Sequence, residues 1–225
     1  MERGQVIDLL EQVNGLTSPG LTGSTGLTGL TGSTGERELQ ARCGTTERAD
    51  RFYRQQLLDH LNPRMMEFVA RQEMLFVATA DRGGECDNTF RAGPPGFIRV
   101  LGPHRLAWPE YRGNGVMASL GNISENAHVG LLMIDFFRDV IGLHVNGRAV
   151  IVEADDFPGP PDDSVPGRRP ERWVAVDVEE AYIHCAKHIP RLARVPHRRA
   201  WGTDDVRRKG GDFFGARDTP RVSAG

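Results

Sequence analysis

Lysine is nearly missing from this chain of 225 residues: of its 28 basic side chains only Lys187 and Lys209 are lysines. Cysteine is equally scarce. Cys43, Cys86 and Cys185 are odd in number and far apart, which excludes a disulfide framework and suits a reducing, cytoplasmic setting. No apolar run approaches the roughly 20 residues that span a bilayer, and the opening MERGQVIDLL has no signal-peptide core. Neither sign of charge dominates, since 28 Lys+Arg stand against 30 Asp+Glu, and a strongly basic nucleic-acid binder is not expected. Aromatics are 7% and hydrophobic residues 39%, enough for one core but below the usual apolar share. Neither G-x-S-x-G nor a P-loop occurs, so acyl transfer and nucleotide hydrolysis lack support.

Glycine is abundant and uneven. From Gly20 to Gly35 it recurs every third residue in a tract of Leu, Thr and Ser without charge or aromatics. The repeat is too short and too poor in proline for a collagen triple helix. Such a tract buries too little surface to offset the entropy of ordering it. Residues 1–35 are therefore expected to be a flexible tail, 36–215 the folded domain, and 216–225 a second tail.

Within the domain the pattern starts helical. GERELQARCG reads as a short helix with Glu36 near its start and Gly44 as its stop. TTERADRFYRQQLLDHLN reads as a second, with Phe52, Leu57, Leu58 and Leu61 on one face, and PRMMEFVARQ as a third, opened by Pro63. Short β-rich runs follow: Met74–Ala80, Cys86–Ala92, Gly96–Leu101 and His104–Pro109, separated by Gly and Pro turns. Asn114–Asn126 reads as a helix with Val116, Met117, Leu120 and Ile123 inward. Strands are expected at His128–Phe137, Ile141–Glu153 with a bulge at Asn146-Gly147, and Trp173–Cys185, with 155–172 a Pro-rich loop. The spacing predicts an antiparallel barrel or sandwich, mainly β with flanking helices, and no βαβ unit.

Chemistry concentrates between Phe90 and Val129. A strand arginine (Arg91), a Gly-rich turn bearing Arg112 and Asn114, and a helix carrying Ser119 and Asn122 converge there. Guanidinium forks and helix N-terminal N–H groups are what a phosphate needs. A solvated surface turn, with Ser119 and Asn122 as helix decoration, is the plainer alternative. Trp108 offers a ring for stacking or for plain packing. In HCAKHIP, His184 and His188 would share a helix face with Cys185 adjacent, but zinc needs three or four ligands, the other cysteines fall in a separate helix and strand, and no C-x-x-C occurs. Lys187 there is a candidate anion contact. His128 and His144 fall on strands, where core or rim roles are commoner than haem ligation.

The blocks FVATADRGGECDNTFRAGPPGFIRVL, LAWPEYRGNGVMASLGNISENAHVGLLMIDF, GLHVNGRAVIVE and VEEAYIHCAKHIPRL, in that order, resemble the pyridoxamine 5'-phosphate oxidase-like family of flavin-binding split barrels over residues 36–215. The resemblance implies a six-stranded antiparallel split β-barrel with flanking helices. It also implies a homodimer with FMN in grooves at the subunit interface and a small-molecule substrate. By position, Arg91 and Arg112 match the family's phosphate-holding basic residues, with Ser119 and Asn122 on the helix that follows, close to the flavin groove; Trp108 and Asn114 stay candidate cofactor contacts from the residue pattern. The family's Ser-Arg-Lys turn is here Tyr111-Arg112-Gly113-Asn114, so the second phosphate contact falls to Lys187 or the arginines after it. Gly93 and Gly96 could present N–H groups to the flavin edge. The C-terminal substrate-phosphate signature of the true oxidase is absent from RRAWGTDDVRRKGGDFFG. Three functions follow from the resemblance: an FMN-dependent oxidoreductase, a non-catalytic flavin- or haem-binding protein, or a deazaflavin-dependent reductase.

Overall fold

The computed structural model describes residues 31–157, 169–197, 199, 203 and 205–220. Most of the expected Gly/Thr tail and most of the Pro-rich loop lie outside them. Three short helices come first. α1 (Thr34–Arg42) starts with a capping box, in which Ser33 Oγ accepts from Glu36 N at 3.2 Å and Glu36 accepts from Ser33 N at 2.6 Å. The last residues of the glycine tract thus serve as cap and first turn. α2 (Thr46–Gln56) packs on α1 through Arg37–Asp50 at 2.6 Å and Gln40–Tyr53 at 2.9 Å. α3 (Pro63–Ala70) has Asn62 as its cap and Pro63 in its first turn, and buries Phe68 and Val69.

α2 stops earlier than the periodicity predicts. Leu57–Leu58 leave it as a two-residue strand, β1, paired to Tyr182 and Ala181. A strand position offers backbone partners that the helix end cannot: this stretch of a long neighbouring strand lies just past the point where another strand leaves it.

The sheet consists of β2 (Met74–Ala80), β3 (Cys86–Ala92), β4 (Arg99–Gly102), β5 (Arg105–Tyr111), β6 (His128–Asp135), β7 (Ile141–Glu153) and β8 (Pro170–His184). Its order is β3-β2-β6-β7-β8-β5-β4, antiparallel throughout, with β1 as an eighth strand on β8. The chain is therefore mainly β with flanking helices, as expected, but with eight strands rather than six. The extra ones are the shortest, β1 and β4, where two to four residues complete an edge. β5 pairs with β8 only up to Asp177, and β1 takes the next part of that edge.

Inward residues follow the period of two. Leu75 and Val77, Leu131 and Met133, Leu143 and Val145, and Val174 and Val176 form one core with Leu61, Val69, Ile98, Leu106 and Trp108. Each such side chain is worth about 1.5–3 kcal/mol of burial. The β7–β8 register shifts at Asn146/Gly147, so the expected bulge is present. A Cβ on Gly147 would lie 2.0 Å from the carbonyl oxygen of Asp177, which is why only glycine fits there.

The internal helix, α4 (Ala118–Glu125), begins four residues later than expected. Gly115 (φ 83°) and Met117 (φ 55°) have left-handed backbones that cannot continue a helix. Val116 and Met117, expected inward, are exposed, while Ile123 is buried as expected. β6 ends at Asp135 rather than Phe137, because the Asp135 carboxylate accepts from the amides of Phe137 and Arg138, both at 2.9 Å, and turns the chain. After β8 comes a single 3-10 turn, Ala186–His188, not an α-helix, so His184 and His188 do not share a helix face. The chain then doubles back: Leu192 N donates to Phe136 O, Arg194 pairs with Glu73, and Arg199 donates to Gly93 O at 3.3 Å.

Candidate cofactor site

β3, at one end of the sheet order, is joined by a side-chain cluster to β5, the strand next to the other end, so the sheet curls and the cluster spans the seam. On β3 the residues Asp87, Thr89 and Arg91 share one face. Arg91 Nε donates to Glu110 Oε1 on β5 at 2.7 Å, and its Nη1 donates to Thr89 Oγ1 at 2.6 Å. The same Glu110 oxygen accepts from the indole N–H of Trp108 at 2.7 Å. Glu110 is 9% exposed and Trp108 1%. Trp108 therefore lies in the core and holds a carboxylate; its ring face is covered by this subunit's own residues.

Two further bonds fix α4 to the sheet. Ser119 Oγ donates to Asp87 Oδ2 at 3.1 Å, and Asn122 Nδ2 donates to Thr79 Oγ1 at 3.0 Å. Between Glu110 and α4 runs the exposed turn that carries Arg112 and Asn114. Asn114 Oδ1 accepts from Val116 N at 3.0 Å and shapes the turn from within. So Arg91, Trp108, Arg112, Asn114, Ser119 and Asn122 fall on one continuous stretch of β3, β5, turn and helix.

Lys187 does not join them within a subunit. Tyr111 pairs with Pro170 at one end of β8, whereas Lys187 follows His184 at the other. Fifteen strand residues separate those ends, about 45 Å along the strand. The arginines after Lys187 do return to this region: the Arg199 contact is to Gly93, two residues past Arg91. The N–H of Gly93 donates to Glu73 O at 3.1 Å and is therefore spoken for, which leaves Gly96 of the two expected backbone donors. Gly93 must be glycine, since a Cβ would meet the Phe97 ring at 2.4 Å.

Sequence reasoning missed Glu110. Its signal was there, a single acid in the otherwise apolar strand sequence LAWPEY. A groove of about 550 Å³ beside β2, β3, β6 and β7 was also not foreseen; Thr79, Asp87, Asn88, His128, Asn146 and Glu179 are among its lining residues. Nearby, His144 stacks on Tyr182 with ring centres 4.8 Å apart and hydrogen-bonds to His184 at 2.9 Å. Burial, and secondly the neighbouring His184, hold the His144 pKa below the usual histidine value. His128 is an exposed rim residue bonded to Asn126 and Arg148. Among the described residues no cluster of three or more His, Cys, Asp or Glu side chains could hold a metal ion, and no helix is long and apolar enough to cross a membrane.

The family model described as pyridoxamine 5'-phosphate oxidase matches residues 61–185, more than half of the chain. The chain belongs to this family. The matched segment runs from the start of α3 through β8 and so contains the whole Arg91–Asn122 stretch, but it leaves out α1, α2 and the returning C-terminal segment. No curated protein sequence matches the chain. Among solved structures it is similar to HupZ of Group A Streptococcus (18% identity, TM-score 0.40, covering 59% of this chain and 99% of that one). It is also similar to General Stress Protein 26 from Bacillus anthracis (16%, 0.38, 52% and 89%). A third is HutZ from Vibrio cholerae, described as a heme storage protein (16%, 0.39, 55% and 94%).

Proposed function

We propose that this pyridoxamine 5'-phosphate oxidase family member is a cytoplasmic, homodimeric FMN-binding protein that acts as an oxidoreductase on a small molecule. The observation that carries this reading is the placement of Arg91, the exposed Arg112 turn and the start of α4 in one continuous stretch. A flavin phosphate could draw on an arginine from a strand (Arg91) and one from the exposed turn (Arg112), and the left-handed backbone at Gly115 and Met117 separates that turn from the helix. Ser119 and Asn122 serve by anchoring α4, and so the turn, to β3 and β2. A bound flavin would supply the redox chemistry; the protein's part is to bind, orient and exclude water. A homodimer is supported by exposed apolar side chains flanking this stretch: Phe90 on β3, with Val116 and Met117 on the turn, 50%, 70% and 50% exposed.

The test is a titration of purified protein with FMN, followed by flavin fluorescence, for the native chain and for Arg112→Ala. Loss of a charge-assisted phosphate contact costs about 1.5–3 kcal/mol, so the variant is expected to bind FMN about ten- to a hundredfold more weakly. A native protein that takes up no FMN overturns the reading. Mixing with reduced nicotinamide or reduced deazaflavin then separates catalysis from storage: bleaching reports reduction of the bound flavin by the donor, and recovery of the absorbance with oxygen as acceptor reports turnover.

A further inference from the structure

We propose that Glu110 is a positioning residue that sets the direction of Arg91, and that it thereby decides how strongly the site discriminates a phosphorylated flavin from its unphosphorylated form. This rests on the cofactor reading above. Arg91 is tied at two of its three nitrogens: Nε to Glu110 at 2.7 Å, and Nη1 to Thr89 at 2.6 Å, with a longer contact to the Phe90 carbonyl. Nη2 makes no hydrogen bond to a described residue, and the side chain keeps 21% of its surface exposed. The guanidinium is therefore fixed in plane with one edge left to a ligand. Glu110 is itself fixed by the indole N–H of Trp108, a side chain that the core holds rigid. The chain of control runs from core to indole to carboxylate to guanidinium. A fixed guanidinium loses little side-chain entropy when a phosphate arrives, and this is how a preorganised group contributes affinity. Glu110 touches no ligand in this scheme.

Two effects of the carboxylate oppose one another, and substitutions separate them. Glu110→Ala removes the acceptor, and Arg91 is free to turn away. Glu110→Gln keeps an acceptor for both donors but removes a negative charge from beside the phosphate. The ordering expected for FMN affinity is Gln equal to or above native, and Ala about tenfold below native. Riboflavin, which has no phosphate, is expected to bind native, Glu110→Gln and Glu110→Ala alike. A merely structural role would shift riboflavin and FMN together. In the Arg91→Ala background, Glu110→Ala is expected to add no further loss, because the group it positions is gone.

The inference falls if Glu110→Ala binds FMN as the native protein does, or if it loses riboflavin by the same factor. It also falls, with the cofactor reading intact, if Arg112→Ala weakens FMN while Arg91→Ala does not. If neither arginine substitution changes the FMN-to-riboflavin ratio, the cofactor reading itself is wrong. Should Glu110→Ala fail to fold, Trp108→Phe carries the same test. It removes one of the two donors on Glu110, and the expected FMN-specific loss is about threefold; a loss shared with riboflavin, or none, refutes the proposal.

Discussion

Single residues decide where this sheet can bend and how it responds to acid. Gly147 sits at the bulge where β7 crosses β8, with the Asp177 carbonyl in the space a Cβ would need. Backbone cannot move aside as a side chain can, so Gly147→Ala should cost about 3 kcal/mol, the upper range for overpacking. Urea unfolding would read this as a lower midpoint with an unchanged slope, and an unchanged midpoint would remove the bulge argument. His144 responds to pH. It lies against the Tyr182 ring and His184, with Leu132 as its other cross-strand neighbour. Its pKa is depressed by burial first and by His184 second, so the folded state favours the neutral ring. The unfolded chain takes up the proton at about pH 6.5. This contribution to stability is therefore complete above that pH and is lost as pH falls from there to the folded-state pKa. His144→Gln is expected to lose less stability between pH 7 and pH 5 than the native protein does. Equal losses in urea titrations at the two pH values would contradict the assignment.

At the scale of elements, β2, β3 and β7 occupy the residues that the sequence predicts, and the reason is visible in each. Asp81-Arg82-Gly83-Gly84 ends β2 at a true turn, where Gly84 takes a positive φ of 87°. The long β7 alternates buried and half-buried positions from Leu143 to Val150. The errors also have local causes. Leu57, Leu58 and Leu61 continue the helical spacing of α2, yet the first two leave the helix for a vacant stretch of β8, a long-range option invisible in a local window. Asn114–Met117 have a helix-like apolar pattern, and only the positive φ at Gly115 and Met117 excludes them. Residue type is what singles out Arg91 and Arg112 in the sequence, and their part in holding a phosphate belongs to the proposal above. The candidate site was not legible where it depends on who reaches whom across the curl of the sheet. Glu110, the partner of both Arg91 and Trp108, is separated from Arg91 by a hairpin and a Gly-Pro-Pro-Gly turn. The element-scale prediction concerns the β6–β7 turn. Asp135 accepts three backbone N–H groups and faces Arg71 at 3.7 Å. Burial opposes its ionisation, but those amides and Arg71 outweigh it and hold the pKa below the usual carboxylate value. Its contribution is thus present above about pH 4 and is lost as pH falls through the depressed value. Asp135→Ala should destabilise by about 2 kcal/mol at neutral pH, and the gap between variant and native protein should narrow in acid.

For the whole molecule, the seam between the ends of the sheet and the exposed apolar residues around it belong to one question. Within a subunit, Lys187 stands at the far end of β8 from Arg112, so a site needing both would have to draw on two subunits. Phe90 provides the sharper probe. It is half exposed at the end of a cross-strand row that continues through Phe76 and Leu132, and its ring lies 5.4 Å from Phe76. In the proposed homodimer that ring is covered by the second copy. Phe90→Lys places a charge where the partner would lie, without adding negative charge near a phosphate. It should shift the protein from dimer to monomer in native mass spectrometry at micromolar concentration. If the cofactor groove is shared between subunits, FMN affinity should fall at least tenfold in the same variant and recover as protein concentration is raised towards dimerisation. A monomer that binds FMN as tightly as the native protein would place the cofactor wholly within one chain, and the burden of holding its phosphate would then rest on Arg91, Arg112 and the returning Arg199 alone.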